Sequence, residues 1–201
     1  MIDVYDRPIM PRAFFPLMLV FLLAGCSAAP PPDDRSVERI VIAPGVTLRL
    51  PAAGQLGDAV EVAQMVTARH GGDSFSFEGR LSVQADHLIL ATTDGLGRRA
   101  MTVHWNEGRL SVEKASWLPG NVPPPANMLA DIVLMYWPAE VLSAALDGAA
   151  IEEAGGIRRL RRDGAVVVEI YRDADPWNGA VALTNLAWDY HVQVGSTRLT
   201  P

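Results

Sequence analysis

Lysine is almost missing from this chain: Lys114 stands alone among 201 residues, and the formal net charge is −6. Nucleic-acid binders concentrate Lys and Arg on one face, so nucleic acid is not an expected partner. Cysteine is as scarce. The single Cys26 excludes an internal disulfide. The four histidines, His70, His87, His104 and His191, show no His-x-x-x-His spacing, so no metal site is expected. His104 and His191 sit opposite the aromatic rows of their segments and read as solvated. There is no Gly-x-Ser-x-Gly, no phosphate-binding loop and no dinucleotide fingerprint. Asp94-Gly95-Leu96-Gly97 is glycine-rich, but it lies in a hairpin loop rather than a strand-to-helix turn. Neither a cofactor nor catalysis is expected. A membrane-spanning run is missing too. The longest apolar stretch, residues 13–25 (AFFPLMLVFLLAG), has thirteen residues and contains Pro16, whereas a spanning helix needs about 20.

That stretch fits a secretory signal, whose apolar region runs about 7–15 residues after a positive charge. Arg12 supplies the charge. Arg7 is offset by Asp3 and Asp6, and Met10 can serve as an alternative start. The run ends in Leu23-Ala24-Gly25-Cys26, the order of a bacterial lipobox: a branched apolar residue, two small residues, then the cysteine that is acylated. The bland reading is a buried cysteine at the end of a core helix. A reactive thiol needs an electropositive folded setting, which a site beside a proline run does not offer. By resemblance to enterobacterial lipoproteins, Ser27 after the cysteine implies the periplasmic face of the outer membrane. Residues 26–36 (CSAAPPPDDRS) are proline-rich, small and acidic. They read as an acylated flexible tether, leaving 37–201 as one domain.

Within that domain period-two alternation dominates. In 74–83 (SFSFEGRLSV), Phe75, Phe77, Leu81 and Val83 share a face. Met101, Val103 and Trp105 alternate with Ala100, Thr102 and His104. Residues 108–115, 165–172 and 180–194 read as further strands, with a β-bulge near Asn185 where the alternation shifts. Turns are expected at His70-Gly71-Gly72-Asp73, Ala85-Asp86, Thr93-Asp94-Gly95, Asn106-Glu107-Gly108 and Arg162-Asp163-Gly164. Such spacing predicts one antiparallel meander. Residues 125–146 break it with helical spacing, and Pro138 opens a second helix. Two apolar helices inside a sheet must cover one of its faces.

Two charged features stand out. Arg158-Arg159-Leu160-Arg161-Arg162 reads either as the solvent face of a strand and turn or as a contact for lipid headgroups or an acidic partner. Glu152-Glu153 and Asp173/Asp175 read as solvated loop acids. The five tryptophans and seven methionines suit either an adaptable apolar cavity or a large-residue core.

The segments DHLILATTDGLGRRAMTVHWNEGRLSV (86–112) and NMLADIVLMYWPAEVLSAAL (127–146), with a lipobox before them, resemble the LolA/LolB lipoprotein-localisation fold. In order, LGRRAMTVHW, LADIVLMYWPAEVL and PWNGAVALTNLAWDY are also similar to an uncharacterised proteobacterial lipoprotein family, a domain of unknown function, across residues 40–197. The resemblance implies a mainly β (α+β) fold: a curved antiparallel sheet forming a half-open barrel, lidded by short helices over an acyl-chain cavity. The cavity residues then expected are Phe75, Phe77, Met101, Val103, Trp105, Leu129, Val133, Trp137 and Trp188. Expected partners are the membrane through Cys26, an acyl chain or other hydrophobic ligand, and a periplasmic carrier or envelope protein, with the protein itself a monomer. The alternative is a structural or assembly lipoprotein with a filled core that docks a protein partner. Cells fed radioactive palmitate should label the wild type and not Cys26→Ser; an unlabelled wild type removes the anchor.

Overall fold

The computed structural model describes residues 33–36, 39–118 and 122–199. The stretch read as an export signal, Cys26 and most of the expected tether lie outside the described residues. Among those residues the elements run as follows. β1 (Asp33–Ser36), β2 (Ile40–Ala43) and β3 (Val46–Leu48) precede a short 3-10 turn at Ala53–Leu56. β4 (Val60–His70), β5 (Asp73–Val83), β6 (His87–Thr93), β7 (Arg99–Asn106) and β8 (Arg109–Lys114) follow. α1 (Pro125–Tyr136), α2 (Ala139–Ala145) and β9 (Leu146–Asp147) interrupt. β10 (Ala150–Ala154), β11 (Ile157–Arg162), β12 (Ala165–Arg172), β13 (Ala180–Asn185) and β14 (Tyr190–Arg198) complete the fold.

The fold is mainly β. Eleven of the described strands form one sheet, ordered β1-β8-β7-β6-β5-β4-β14-β13-β12-β11-β10, and β2-β3-β9 form a smaller one. All neighbours are antiparallel. The large sheet is not closed into a barrel, because its edge strands β1 and β10 do not pair with each other. The single meander expected from sequence is two. β4 to β8 form one and β10 to β14 the other, joined where β14 lies along β4 from Tyr190↔His70 to Arg198↔Val62. Asp33–Ser36, read as the end of the tether, instead extend the sheet along β8. Main-chain pairing at a sheet edge does not require apolar side chains.

The turn chemistry explains the hairpins. Glu107/Gly108 and Asp163/Gly164 each put two consecutive residues at positive φ, as a two-residue type I′ hairpin requires. The parity shift at Asn185 is a turn between two strands, not a bulge. The Asn185 side-chain oxygen accepts from the amides of Ala187 (3.1 Å) and Trp188 (3.0 Å), and Asp189 takes φ 51°. The Asn185 amide nitrogen also donates to the Ile42 carbonyl at 2.8 Å, tying the two sheets together.

α1 is apolar on nearly every side, so it is buried. It packs on β2 and β13, while α2 packs on β10. The arginine cluster is not a solvent face. Arg158 takes a core-facing position on β11 beside Leu160 and is 1% exposed. The reason lies at the helix junction. Pro138 has no N–H, so the Leu134 carbonyl four residues before it lacks its helical donor. Arg158 supplies one, donating to the carbonyls of Leu134 (2.5 Å) and Trp137 (2.8 Å). Glu153, expected to be a solvated loop acid, lies on β10 and pairs with Arg158 at 3.1 Å and with Arg172. The rest of the cluster is also engaged: Arg159 with Glu169 (2.7 Å), Arg161 with Glu152 (2.8 Å), and Arg162 with Asp163 (3.3 Å) and the Pro44 carbonyl. Asp173 and Asp175 brace their own turn, accepting from the amides of Ala180 (2.7 Å) and Trp177 (3.0 Å).

Arg158→Met keeps the length but leaves two buried carbonyls unpaired. It should cost about 3 kcal/mol of unfolding free energy, read as a lower urea midpoint, with Arg158→Lys recovering part of it. A wild-type midpoint for Arg158→Met would remove this role.

Candidate functional site

β4 and β5 are eleven residues each, longer than their neighbours. β6 pairs with β5 only from Glu78 to Val83, so residues 73–77 run on past β6. α1 crosses opposite this overhang. Between them lies a cavity of about 1010 Å³. Its sheet wall is Val66, Ala68, Phe75 and Phe77 of the long hairpin, Leu90 and Met101 of β6 and β7, and Val192 and Val194 of β14. Met128, Ile132 and Met135 of α1 form the opposite wall. Trp117, Pro123, Pro124 and Trp188 close its sides. The Arg98 guanidinium lies 4.4 Å from the Trp117 ring centroid and pairs with Asp94 at 2.7 Å.

The structure therefore brings Phe75, Phe77, Met101 and Trp188 together on one cavity. It places Val103, Trp105, Leu129, Val133 and Trp137 elsewhere, in the buried core. The two tryptophans have polar tips that explain their position. Trp105 donates to the Pro51 carbonyl at 3.1 Å and Trp137 to that of Ala52 at 3.4 Å. Both indoles are thus fixed on one loop beside the small sheet, where a buried ring nitrogen finds an acceptor. Leu129 and Val133 lie one helical turn apart on the side of α1 away from Met128, Ile132 and Met135. Cys26 lies outside the described residues.

Polar groups line the cavity as well, among them Arg69, His70, Asp73, Ser74, Thr92 and Asp94. At its base Gln64 donates to the Tyr136 hydroxyl (3.1 Å) and to Ser196 (3.1 Å). The Tyr136 ring stacks on Trp177 with centroids 4.0 Å apart. On the helix wall the Tyr190 hydroxyl donates to Asp131 Oδ1 at 2.7 Å. Burial raises the Asp131 carboxyl from 3.8 to about 7, opposed in part by the Tyr190 hydrogen bond. Burial, together with Asp131 itself, raises the Tyr190 phenol. Asp131 and Tyr190 were missed from the sequence, yet a signal existed: Asp131 is the one charged residue in α1. Among the described residues no group of three or more His, Cys, Asp or Glu is placed to hold a metal ion, and no helix is long and apolar enough to cross a membrane.

Residues 61–198 match the model of a family described as "Protein of unknown function (DUF3261)". The chain belongs to this family. No curated protein matches it. The matched span runs from the start of β4 to the end of β14 and contains every cavity residue named above. The uncharacterised family expected from the sequence is met at that level.

The carboxyl at 131 has a signed consequence. The native state holds its proton to higher pH than the unfolded chain, so the neutral acid's contribution is complete below about 3.8 and lost as pH rises to about 7. Relative to Asp131→Asn, the wild type should lose at most about 1.4 kcal/mol per pH unit across that window and nothing further above pH 8. Parallel urea-midpoint profiles for the two proteins would refute the assignment.

Proposed function

We propose that this protein is a lipoprotein, anchored through Cys26 on the periplasmic face of the outer membrane, that binds or passes on an acylated or other apolar molecule without catalysis. The cavity carries the reading. At about 1010 Å³ it stands at the upper end of small-molecule pockets, roughly 300–1,000 Å³, and phenylalanine, tryptophan, methionine and branched aliphatic side chains make up most of its exposed wall, with polar side chains such as Ser74, Thr92 and Asp131 among them. Entry of an acyl chain needs no reacting group. Each buried methylene contributes about 0.8 kcal/mol, set against the cost of ordering the chain. Methionines at 101, 128 and 135 let the wall adapt to its occupant. The open antiparallel sheet with two helices above a cavity is also what the LolA/LolB resemblance implies, and it supports a carrier role with a periplasmic or envelope partner at the mouth. The docking alternative finds less support, since the arginines proposed to meet a partner are engaged within the protein.

Residues 33–201, which keep β1, should take up a pyrene-labelled acyl ester, seen as a rise in pyrene emission. Phe77→Glu, which places a charge on the wall, and Ile132→Trp, which fills the space, should each weaken uptake at least tenfold while urea midpoints show the domain folded. Met65→Glu, on an exposed position of β4 (53% accessible), should change nothing. No uptake by the wild type sinks the carrier reading.

A further inference from the structure

α1 presents Asn127, Met128, Asp131, Ile132 and Met135 to the cavity. These positions recur at helical spacing and make one face. Four of them are explained without a ligand: Asn127 donates to the Val41 carbonyl at 3.3 Å, and the other three are apolar wall. Asp131 is different. Its Oδ1 accepts from Tyr190 at 2.7 Å, which fixes the carboxyl plane, while Oδ2 has no protein partner among the described residues. Oδ2 is also not sealed within the protein, so it is left to the cavity.

We propose that Asp131, oriented by Tyr190, is the recognition point for a hydrogen-bond donor on the ligand. The cavity then selects apolar chains that carry a hydroxyl or an amide N–H over chains that carry acceptors alone. This rests on the reading of the cavity as a binding site. The chemistry is directional. With Asp131 ionised, as at the pH of the test below, Tyr190 gives its one proton to the carboxylate, and the pair offers the ligand an acceptor and no donor. An ester, ether or plain hydrocarbon cannot answer it. A carboxylate head would meet the charge of Asp131 and is turned away from this part of the wall. The nearest titratable neighbour in register is His70, cross-strand from Tyr190 at the hairpin end and itself opposite Asp73. No hydrogen bond joins His70 to the pair. Arg69, also on the cavity rim, pairs in register with His191 rather than with Tyr190.

The test uses two molecules of equal length, 1-dodecanol and dodecyl methyl ether, each displacing the pyrene-labelled ester from the domain at pH 8.5. The alcohol should bind about tenfold more tightly than the ether, the size of one hydrogen bond to a charged group. Asp131→Leu should erase that preference while leaving ether affinity in place or improved. Equal affinity of the wild type for alcohol and ether overturns the donor role and leaves the cavity reading standing. Failure of both to bind, with no uptake of the labelled ester, overturns the cavity reading itself. Should Asp131→Leu not fold, the wild-type comparison still decides.

Discussion

The fold depends on how one helix is ended. Pro138 stops α1 and deprives the Leu134 carbonyl of its donor, and Arg158 crosses from β11 to replace it. A buried guanidinium is costly unless every donor is used. Here it is spent on two main-chain carbonyls and on Glu153, which also holds Arg172. Burial lowers the guanidinium to about 10, still charged at neutral pH. The C-terminal end of α1 is thereby fixed to the second meander. Gln64 and Ser196, meeting at the Tyr136 hydroxyl, fix the same end to β4 and β14. These are the two strands that join the meanders, so the helix and the seam of the sheet are held at one place.

Fixing that end sets the rest of α1. Its Leu129 and Val133 side packs within the core, against which β2 lies. Its Met128, Ile132 and Met135 side then faces the long hairpin. The hairpin overhang has no β6 neighbour beyond Glu78, so the space under it is not filled by a further layer of strand side chains. One end of the sheet is therefore a filled core, closed by Trp105 and Trp137 on the Pro51–Ala52 carbonyls. The other end is a cavity. A mismatch of strand lengths, combined with a helix held at one end, produces both from a single continuous layer.

Much of this was legible in the sequence, because alternation and turn residues act locally. The strands of Phe75, Met101 and Val168 and the hairpins at Glu107-Gly108 and Asp163-Gly164 follow from side-chain period and positive φ alone. So does the break at Pro138. What could not be read depends on partners distant in the chain. Asn185 looked like a bulge because a parity shift is common to bulges and turns, and only its bonds to Ala187, Trp188 and Ile42 separate the two. Arg158 looked solvent-facing because alternation gives a residue's side but not the carbonyls waiting there. Periodicity also identified α1 as apolar without saying which of its sides meets the core and which the cavity. That is why Leu129 and Val133 were grouped with Phe77, and why Trp105 was grouped with Met101 though the two face opposite ends of one strand's buried row.

The remaining asymmetry is the carboxyl at 131. An acid at that point of α1 is held by one protein hydrogen bond, from Tyr190. Gln64 and Arg158 are paired with protein through more than one bond: Gln64 with two hydroxyls, Arg158 with two carbonyls and a carboxylate. Those groups hold the fold. Asp131 holds the Tyr190 hydroxyl alone, and its second oxygen has no protein partner among the described residues. A structural device would be satisfied within the protein. An acceptor left open on this wall is the feature that the proposed donor-bearing ligand would answer, and a cavity filled by side chains alone would give it no use.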